Sequence, residues 1–362
     1  MTSGIGYLKK HPVAALLLGV PLAILAEYLH WGSTWVFAFS ALGVIPLASY
    51  IGESTEALAH YTGPRLGGLL NATLGNAAEL IITIVAIRQG LLELVKASIT
   101  GSILGNLLLV LGMSMLLGGL RNGSQTFDRK QAGSNAILLV LTILILLVPS
   151  LLSHNIEVGP EGAFRVEALS LGVAAVMIIL YIMGLVYSLK MQEGPLTPEA
   201  GKEPGAAPGW SLRTALIILG LSTVGVAYLS ELFVGAVEPV VEELGISEFF
   251  IGIIFIPIIG NVAEHLVAVQ VAVKNRMTLS VEIAVASSLQ IALFVAPVLV
   301  FVSLLMGNPL TLVFLPFELV ALAAGVLIAA LVSADGESNW LEGAELLAVY
   351  IVLGLAFFLF PA

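Results

Sequence analysis

Long apolar stretches separated by short polar loops make up the chain from residue 12 onward. A helix needs about 20 apolar residues to cross the hydrocarbon core of a bilayer, and by that measure the pattern predicts eleven spanning helices. They are expected at about 12–31, 34–60, 66–88, 92–119, 133–152, 165–189, 211–237, 248–273, 279–305, 310–333 and 340–360. Glycine and proline occur inside several of these spans, where they indicate close packing or local unwinding.

The composition agrees with a membrane protein. Apolar residues make up 59% of the 362 residues and charged residues only 10%, whereas a soluble domain carries about 25% charged residues. The absence of cysteine excludes disulfides and thiolate metal sites. The net charge is −10 without a basic patch, so no nucleic-acid partner is expected. We therefore expect an all-α integral membrane protein surrounded by the lipid bilayer.

The longest polar stretch, at 190–210, is rich in proline, glycine and alanine. Its composition is that of a linker. The chain is thereby divided into an extra N-terminal transmembrane helix and two five-helix halves joined by this linker. The expected boundaries are 1–32, 33–190, 191–209 for the cytoplasmic linker, and 210–362. Because five is odd, the two halves would cross the membrane in opposite orientations, which is the inverted-repeat plan of many secondary transporters.

The basic residues of the loops predict the orientation in the membrane. With the N-terminus in the cytoplasm, eleven of them lie on the cytoplasmic side and three on the other. The eleven are Lys9, Lys10, Arg65, Arg121, Arg129, Lys130, Lys190, Lys202, Arg213, Lys274 and Arg276; the three are Arg88, Lys96 and Arg165. We expect a cytoplasmic N-terminus, an external C-terminus, and a first apolar run that is a retained span and not a signal peptide.

Two acidic residues, Glu79 and Glu264, lie near the middle of predicted spans. Each ends a similar short motif, Gly-Asn-Ala-Ala-Glu at 75–79 and Gly-Asn-Val-Ala-Glu at 260–264. A charge at this depth costs about 3 kcal/mol on insertion scales, so an intramembrane acid is by default a functional residue. Because the contexts are repeated, we expect the two glutamates to meet in one site divided between the halves.

Further polar residues accompany this pair. Residues three apart share a helix face, which places Asn76 beside Glu79 and Asn261 beside Glu264. The following spans carry Ser102, Asn106, Ser288 and Gln290, with Ser102 aligned to Ser288 by one inserted residue; Gly75, Gly260 and Pro257 would free backbone carbonyls. All of these are hard oxygen donors, which suit Ca²⁺, whereas transition metals prefer imidazole or sulfur. No cofactor is expected.

Charge balance suggests a mechanism for such a pair. Two glutamates are neutralised either by one Ca²⁺ or by two protons. The empty, doubly charged site would be costly in a low-dielectric interior, since its carboxylates repel each other. Obligatory exchange of Ca²⁺ for protons follows from that cost.

Other interpretations of these residues stay open. The asparagines and serines would also serve as interhelical hydrogen-bond partners, and His265 as an interior polar group that tunes Glu264. Glu53, Glu56 and Glu231, toward the cytoplasmic ends or middles of their spans, would line an access path for ions and protons or form solvated helix ends. Glu27 and Glu318 are further intramembrane acids without an evident partner.

These motifs resemble those of the calcium/proton antiporter family, within the calcium/cation antiporter superfamily. The resemblance rests on the stretches 70–79, 260–265 and 286–297 and covers roughly 35–360. It implies export of Ca²⁺ from the cytoplasm driven by proton entry, with Glu79 and Glu264 as central ligands. The linker lacks the family's strongly acidic helix, and the short tails favour a prokaryotic plasma membrane. A homo-oligomer is compatible with the sequence.

Three other functions compete with this one. The nearest is Na⁺/Ca²⁺ exchange, or exchange of another divalent cation, within the same superfamily; sodium-coupled relatives usually carry an added acidic residue in the later span, where this chain has Gln290. A membrane-embedded hydrolase would need an activated water held by His or Asp, but the chain has no His-Glu-x-x-His motif and its two aspartates lie in loops. A channel would conduct without a counter-ion. We therefore expect a transporter and not an enzyme.

Overall fold

The computed structural model describes residues 12–156, 161–191 and 210–359, and these residues are predominantly helical. Before the linker lie a 3₁₀ helix (Pro12–Leu18), α1 (Gly19–Tyr28), α2 (Ser33–Leu74), α3 (Ala77–Gln89), α4 (Leu92–Leu104), α5 (Leu111–Asn122), α6 (Arg129–Ile156) and α7 (Gly162–Met191). After it lie α8 (Leu212–Gly235), α9 (Val237–Leu244), α10 (Glu248–Phe250), α11 (Ile256–Val273), α12 (Met277–Gln290), α13 (Ala296–Leu305), α14 (Pro316–Val332) and α15 (Trp340–Phe358).

Three π-helical segments join consecutive helices into longer rods. Gly105–Val110 joins α4 to α5, Ile251–Phe255 joins α10 to α11, and Ile291–Val295 joins α12 to α13. The rods therefore run without interruption over 92–122, 248–273 and 277–305. A π segment changes the hydrogen-bond register of a helix and often occurs at functional sites.

Eight helical rods are long and apolar enough to cross a membrane, by length and composition, among the described residues. They are Ser33–Gly63, Leu92–Asn122, Arg129–Ile156, Gly162–Tyr187, Leu212–Leu244, Glu248–Val273, Met277–Leu305 and Trp340–Phe358. Two shorter apolar helices cover Ala14–Tyr28 and Pro316–Val332. The expectation of an all-α membrane protein is thus confirmed in kind, while the full set of eleven spans stays a prediction.

The segment predicted as a span at 66–88 departs from a single helix. A break at Gly63 (φ 83°, ψ 171°) separates it from the preceding span, since a left-handed φ favours glycine and the residue before a proline avoids the α region. A second break follows at Asn76 (φ −93°, ψ 15°), after which α3 begins. In the second half, α11 runs through Gly260 and Asn261 without a break.

Two rods form the centre of the bundle. In the most apolar stretch of 92–122, 72% of the residues are buried, and in that of 277–305, 67% are buried, whereas the other rods range from 17% to 44%. The outer helices present large apolar side chains on their free faces, as helices in contact with lipid do. The polar residues in the middle of these rods, among them Ser102, Asn106, Ser287 and Gln290, are therefore enclosed by protein.

A two-stranded ribbon closes one end of the bundle. Strand β1 (Gln125–Thr126) pairs antiparallel with β2 (Glu337–Ser338). The Gln125 amide nitrogen donates to the Ala272 carbonyl at 2.9 Å and to Asn275 Oδ1 at 2.9 Å. This contact fastens the end of α11 to the loop after α5.

Some sequence predictions fall outside the described residues. The linker predicted at 191–209 does so from residue 192 onward, as do Lys9, Lys10 and Lys202 of the orientation argument. Trp210 is the first described residue after the linker. The backbone carbonyl of Trp210 accepts a hydrogen bond from the Tyr61 hydroxyl at 3.0 Å.

Close packing of α15 on α5 gives a stability prediction. A methyl group at Gly343 would lie 2.6 Å from the Gly112 carbonyl oxygen, so Gly343→Ala forces the helices apart. We expect it to destabilise the protein by about 1–3 kcal/mol, seen as a lower Tm in detergent. Gly354→Ala on the same helix is the control, because a methyl group there meets only Ile254 at 3.9 Å. Equal Tm values for the two variants would contradict the packing.

Candidate ion-binding site

Glu79 is buried where three helices meet. It is the third residue of α3, and only 1% of its surface is exposed. Its Oε1 accepts a short hydrogen bond from the Ser102 hydroxyl on α4, and its Oε2 lies 3.5 Å from the Asn261 amide nitrogen on α11. The break before α3 places the carboxyl group at a helix N-terminus, where the helix dipole favours negative charge.

Glu264 is the corresponding acid of the second half. It lies on α11, is half-buried, and its Oε2 accepts a hydrogen bond from the Ser287 hydroxyl on α12 at 2.5 Å. Both glutamates thus receive a hydroxyl hydrogen bond from the next helix along the chain.

The two motifs face each other through their glycines. A methyl group at Gly75 would lie 3.4 Å from Glu264 Oε1, and one at Gly260 would lie 3.5 Å from Glu79 Cβ. Each glycine therefore lies against the glutamate of the other motif. The structure therefore places the two motifs against each other.

Amide side chains complete the surroundings of the carboxyl groups. Asn261 Nδ2 also lies 3.4 Å from Ser102 Oγ and donates to the Pro257 carbonyl at 3.2 Å. Asn76 Nδ2 donates to Gln290 Oε1 at 2.8 Å, while Asn76 Oδ1 is buried without a hydrogen-bond donor. Within the described part of the chain, the site thus contains one buried acceptor oxygen that receives no hydrogen bond.

Asn106 of the first half and His265 of the second half form a separate pair. Asn106 lies in the π segment after α4, and its Oδ1 is 3.2 Å from His265 Nε2. Asn106 Nδ2 is buried without an acceptor. The structure therefore gives His265 an amide partner, not a direct bond to Glu264.

The two halves match at a constant spacing of 185 residues. At that spacing Gly75, Asn76 and Glu79 correspond to Gly260, Asn261 and Glu264, and Ser102 corresponds to Ser287. The turns that follow also match: Gly90 and Asn275 both have positive φ. The bond from Leu91 N to Ala86 O (3.0 Å) corresponds to that from Arg276 N to Val271 O (2.9 Å).

This correspondence corrects the predicted role of Ser288. Its hydroxyl donates to the Ala284 carbonyl of its own helix at 2.9 Å, and the serine that binds Glu264 is Ser287. Neighbouring residues on a helix point about 100° apart, so an alignment wrong by one residue selects the wrong face. A gap-free alignment would have found Ser287, because Ser102 and Ser287 both follow their glutamates by 23 residues.

Three of the four predicted pathway residues lie at exposed or half-exposed positions, whereas the fourth, His265, adjoins Glu264. Glu53 and Glu56 are exposed on α2, where Ser49 Oγ lies 3.5 Å from Glu53. Glu231 forms an exposed ion pair with Arg88 at the end of α3. Glu231 therefore lies beside the end of α3 that carries Arg88, and its predicted role in an access path stays a prediction.

An open cavity of about 420 Å³ lies beside Glu231. Its lining also includes Glu27, in the last turn of α1, and His30, which follows that helix. Glu27, for which the sequence offered no neighbour, is therefore at the rim of the bundle and away from the central site.

The donor set suits a hard cation. It consists of two carboxylates, two serine hydroxyls and the free amide oxygen of Asn76. Among the described residues no group of three or more His, Asp or Glu forms a metal cluster. Oxygen donors of mixed charge are the ligands Ca²⁺ accepts with loose geometry.

An apolar helical bundle that buries a matched pair of acids between its halves is the architecture of a membrane cation transporter. The sequence profile of the sodium/calcium exchanger protein family matches residues 32–190 and 214–359. The chain belongs to this family.

Similar proteins carry the names that the sequence resemblance suggested. A Ca²⁺/H⁺ antiporter of Aphanothece halophytica is 47% identical, over 96% of both chains. The Ca²⁺/H⁺ antiporter ChaA of Bacillus subtilis is 46% identical, over 94% of this chain and 97% of the relative. The structure of native YfkE is 43% identical with a TM-score of 0.83, over 96% of this chain and 99% of that one. The resemblance to calcium/proton antiporters is confirmed.

Proposed function

We propose that this protein is a secondary active antiporter that exchanges cytoplasmic Ca²⁺ for external protons. Glu79 and Glu264 bind Ca²⁺ or protons in turn. The observation that carries the proposal is the reciprocal contact in which each motif glycine lies against the glutamate of the other half. The relatives named as Ca²⁺/H⁺ antiporters, similar over nearly the whole chain, support the same exchange.

The charge of the site couples the two ions. One Ca²⁺ or two protons neutralise the pair, and either form crosses a low-dielectric region at much lower cost than the bare dianion. The bundle therefore does not move the empty, doubly charged site from one side of the membrane to the other. Exchange follows without a separate coupling device.

The neutral residues fit the role of Ca²⁺ ligands or of their supports. Asn76 Oδ1 is a buried acceptor without a donor, and such atoms are rare unless a ligand satisfies them. Gln290 accepts a hydrogen bond from Nδ2 of the same Asn76 amide, and this bond fixes the direction of Asn76 Oδ1. The Ser102 and Ser287 hydroxyls hold the carboxyl groups and offer their own oxygens.

The matched spacing of 185 residues supports a plan of two inverted five-helix repeats after an extra first helix. With the loop charges, this plan gives eleven spans, a cytoplasmic N-terminus and an external C-terminus in a prokaryotic plasma membrane. The repeats also differ in shape, since the first motif is broken at Asn76 and the second is continuous. Exchange of these two shapes between the halves is the proposed route to alternating access.

We expect Glu79→Gln and Glu264→Gln each to reduce exchange to background, because one remaining carboxylate cannot balance Ca²⁺ in a buried site. The measurement is ⁴⁵Ca²⁺ uptake into liposomes driven by a pH gradient without sodium. Glu337→Gln in the exposed ribbon is the matched control, since it removes the same charge far from the site.

Two results would overturn the assignment. Uptake that survives Glu79→Gln would show that the site is wrong. Uptake by the wild type that needs a sodium gradient would favour the runner-up, Na⁺/Ca²⁺ exchange, which the family description also covers.

Ser287 and Ser288 give a test at single-residue resolution. We expect Ser287→Ala to raise the KM for Ca²⁺ by about tenfold, the equivalent of a hydrogen bond to a charged group. Ser288→Ala should leave KM near the wild-type value, because that hydroxyl binds only its own helix. A larger effect at Ser288 would contradict the site geometry.

Protons and Ca²⁺ should compete for the same pair of carboxylates. We therefore expect the KM for Ca²⁺ to rise as the pH on the Ca²⁺ side falls, by up to about tenfold per pH unit for each proton displaced. The slope of log KM against pH, measured in liposomes at fixed driving force, reports the number of protons. A KM that does not vary with pH would exclude direct competition.

A further inference from the structure

Glu318 is a third buried carboxyl group, and the proposed exchange does not use it. It lies in the first turn of α14 and is 1% exposed. Its Oε1 accepts a hydrogen bond from the Thr100 hydroxyl at 2.9 Å, and its Oε2 accepts one from the Leu315 amide at 2.8 Å. Both oxygens therefore have donors, and the group joins α14 to α4.

Thr100 lies two residues before the serine that binds Glu79. Consecutive helix residues point about 100° apart, so Thr100, Gly101 and Ser102 face three directions. Thr100 binds Glu318, Gly101 lies directly against the backbone of Ile253, and Ser102 binds Glu79. Within one turn, α4 is thus held on three sides by three other helical segments.

We propose that Glu318 is a positioning residue: through Thr100 it sets the rotation and depth of α4, and so aims the Ser102 hydroxyl at Glu79. The inference rests on the proposed role of Glu79 in ion binding. It assigns Glu318 no direct contact with the transported ions.

The structure gives a reason why α4 needs this contact. The π segment Gly105–Val110 begins three residues after Ser102, and its changed hydrogen-bond register does not fix the rotation of the turn before it. The polar contact to Glu318 fixes that rotation from the side opposite to the site.

The contact has no counterpart beside Ser287, the serine that binds Glu264. At the spacing of 185 residues, the counterpart of Thr100 is Val285, which is buried and has no hydroxyl group. The two serines that bind the glutamates are therefore positioned differently. Lys96 and Glu93, which pair with each other on α4, both lie within electrostatic range of Glu318 and act on its charge in opposite directions.

The test compares Thr100→Val, Thr100→Ser and Glu318→Ala in the ⁴⁵Ca²⁺ uptake assay, with KM and maximal rate measured separately. We expect Thr100→Val and Glu318→Ala to raise the KM for Ca²⁺ by about fivefold, the equivalent of one hydrogen bond. Thr100→Ser keeps the hydroxyl and should restore the wild-type KM. The double variant Thr100→Val/Glu318→Ala should be no worse than either single change.

Ser303→Ala is the matched control. The Ser303 hydroxyl accepts a buried hydrogen bond from the Leu310 amide at 2.7 Å, in the loop that leads to α14. Its loss should lower Tm without changing KM. If Glu318→Ala fails to fold, Thr100→Val carries the test, because valine has nearly the shape of threonine.

Three outcomes separate the claims. A wild-type KM in Thr100→Val, or an equal rise of KM in Ser303→Ala, would overturn the positioning role. If Glu79→Gln abolishes exchange while Thr100→Val is normal, only this inference fails. If Glu79→Gln still exchanges Ca²⁺, the proposed function fails as well.

Discussion

The structure depends on the close approach of two short motifs that each bring one carboxyl group to the contact between packed helices. A buried carboxyl group needs hydrogen-bond donors or a counter-charge, and here the hydroxyl groups of Ser102 and Ser287 supply the donors. Gly75 and Gly260 lie at the contact itself, where an added methyl group would already touch the opposite glutamate at 3.4 and 3.5 Å. Small residues such as glycine let helix backbones approach each other closely in a membrane. The positions of these two glycines therefore indicate where the two motifs meet.

The rest of the bundle holds these motifs in place. The rods at 92–122 and 277–305 are the most buried parts of the fold, and they carry the residues that hydrogen-bond the carboxyl groups. Both contain π segments just after those residues. A rigid, protein-enclosed rod lets a single hydroxyl group keep its direction, whereas a lipid-facing helix would be free to rotate. The burial pattern therefore follows from the demands of the site.

Much of this could be predicted from the sequence. The apolar pattern located the long helices, and the repeated Gly-Asn-x-Ala-Glu motif identified the acids, because both signals are strong and local. Three features were beyond that reasoning. The break at Asn76 depends on tertiary packing, since the same Gly-Asn pair continues the helix at 260–261. Ser287 was missed through one inserted residue, and the pairing of Glu231 with Arg88 joins helices that are far apart in sequence.

The 185-residue correspondence does not extend to all the side chains around the carboxyl groups. At the common spacing, Gly105 corresponds to Gln290 and Asn106 to Ile291. The amide that holds Asn76 thus comes from a position that is glycine in the other half, and Asn261 turns instead to Glu79 and Ser102. Glu79 is buried while Glu264 is half-buried. Because the two acids have different hydrogen-bond donors and lie in different surroundings, they are not equivalent.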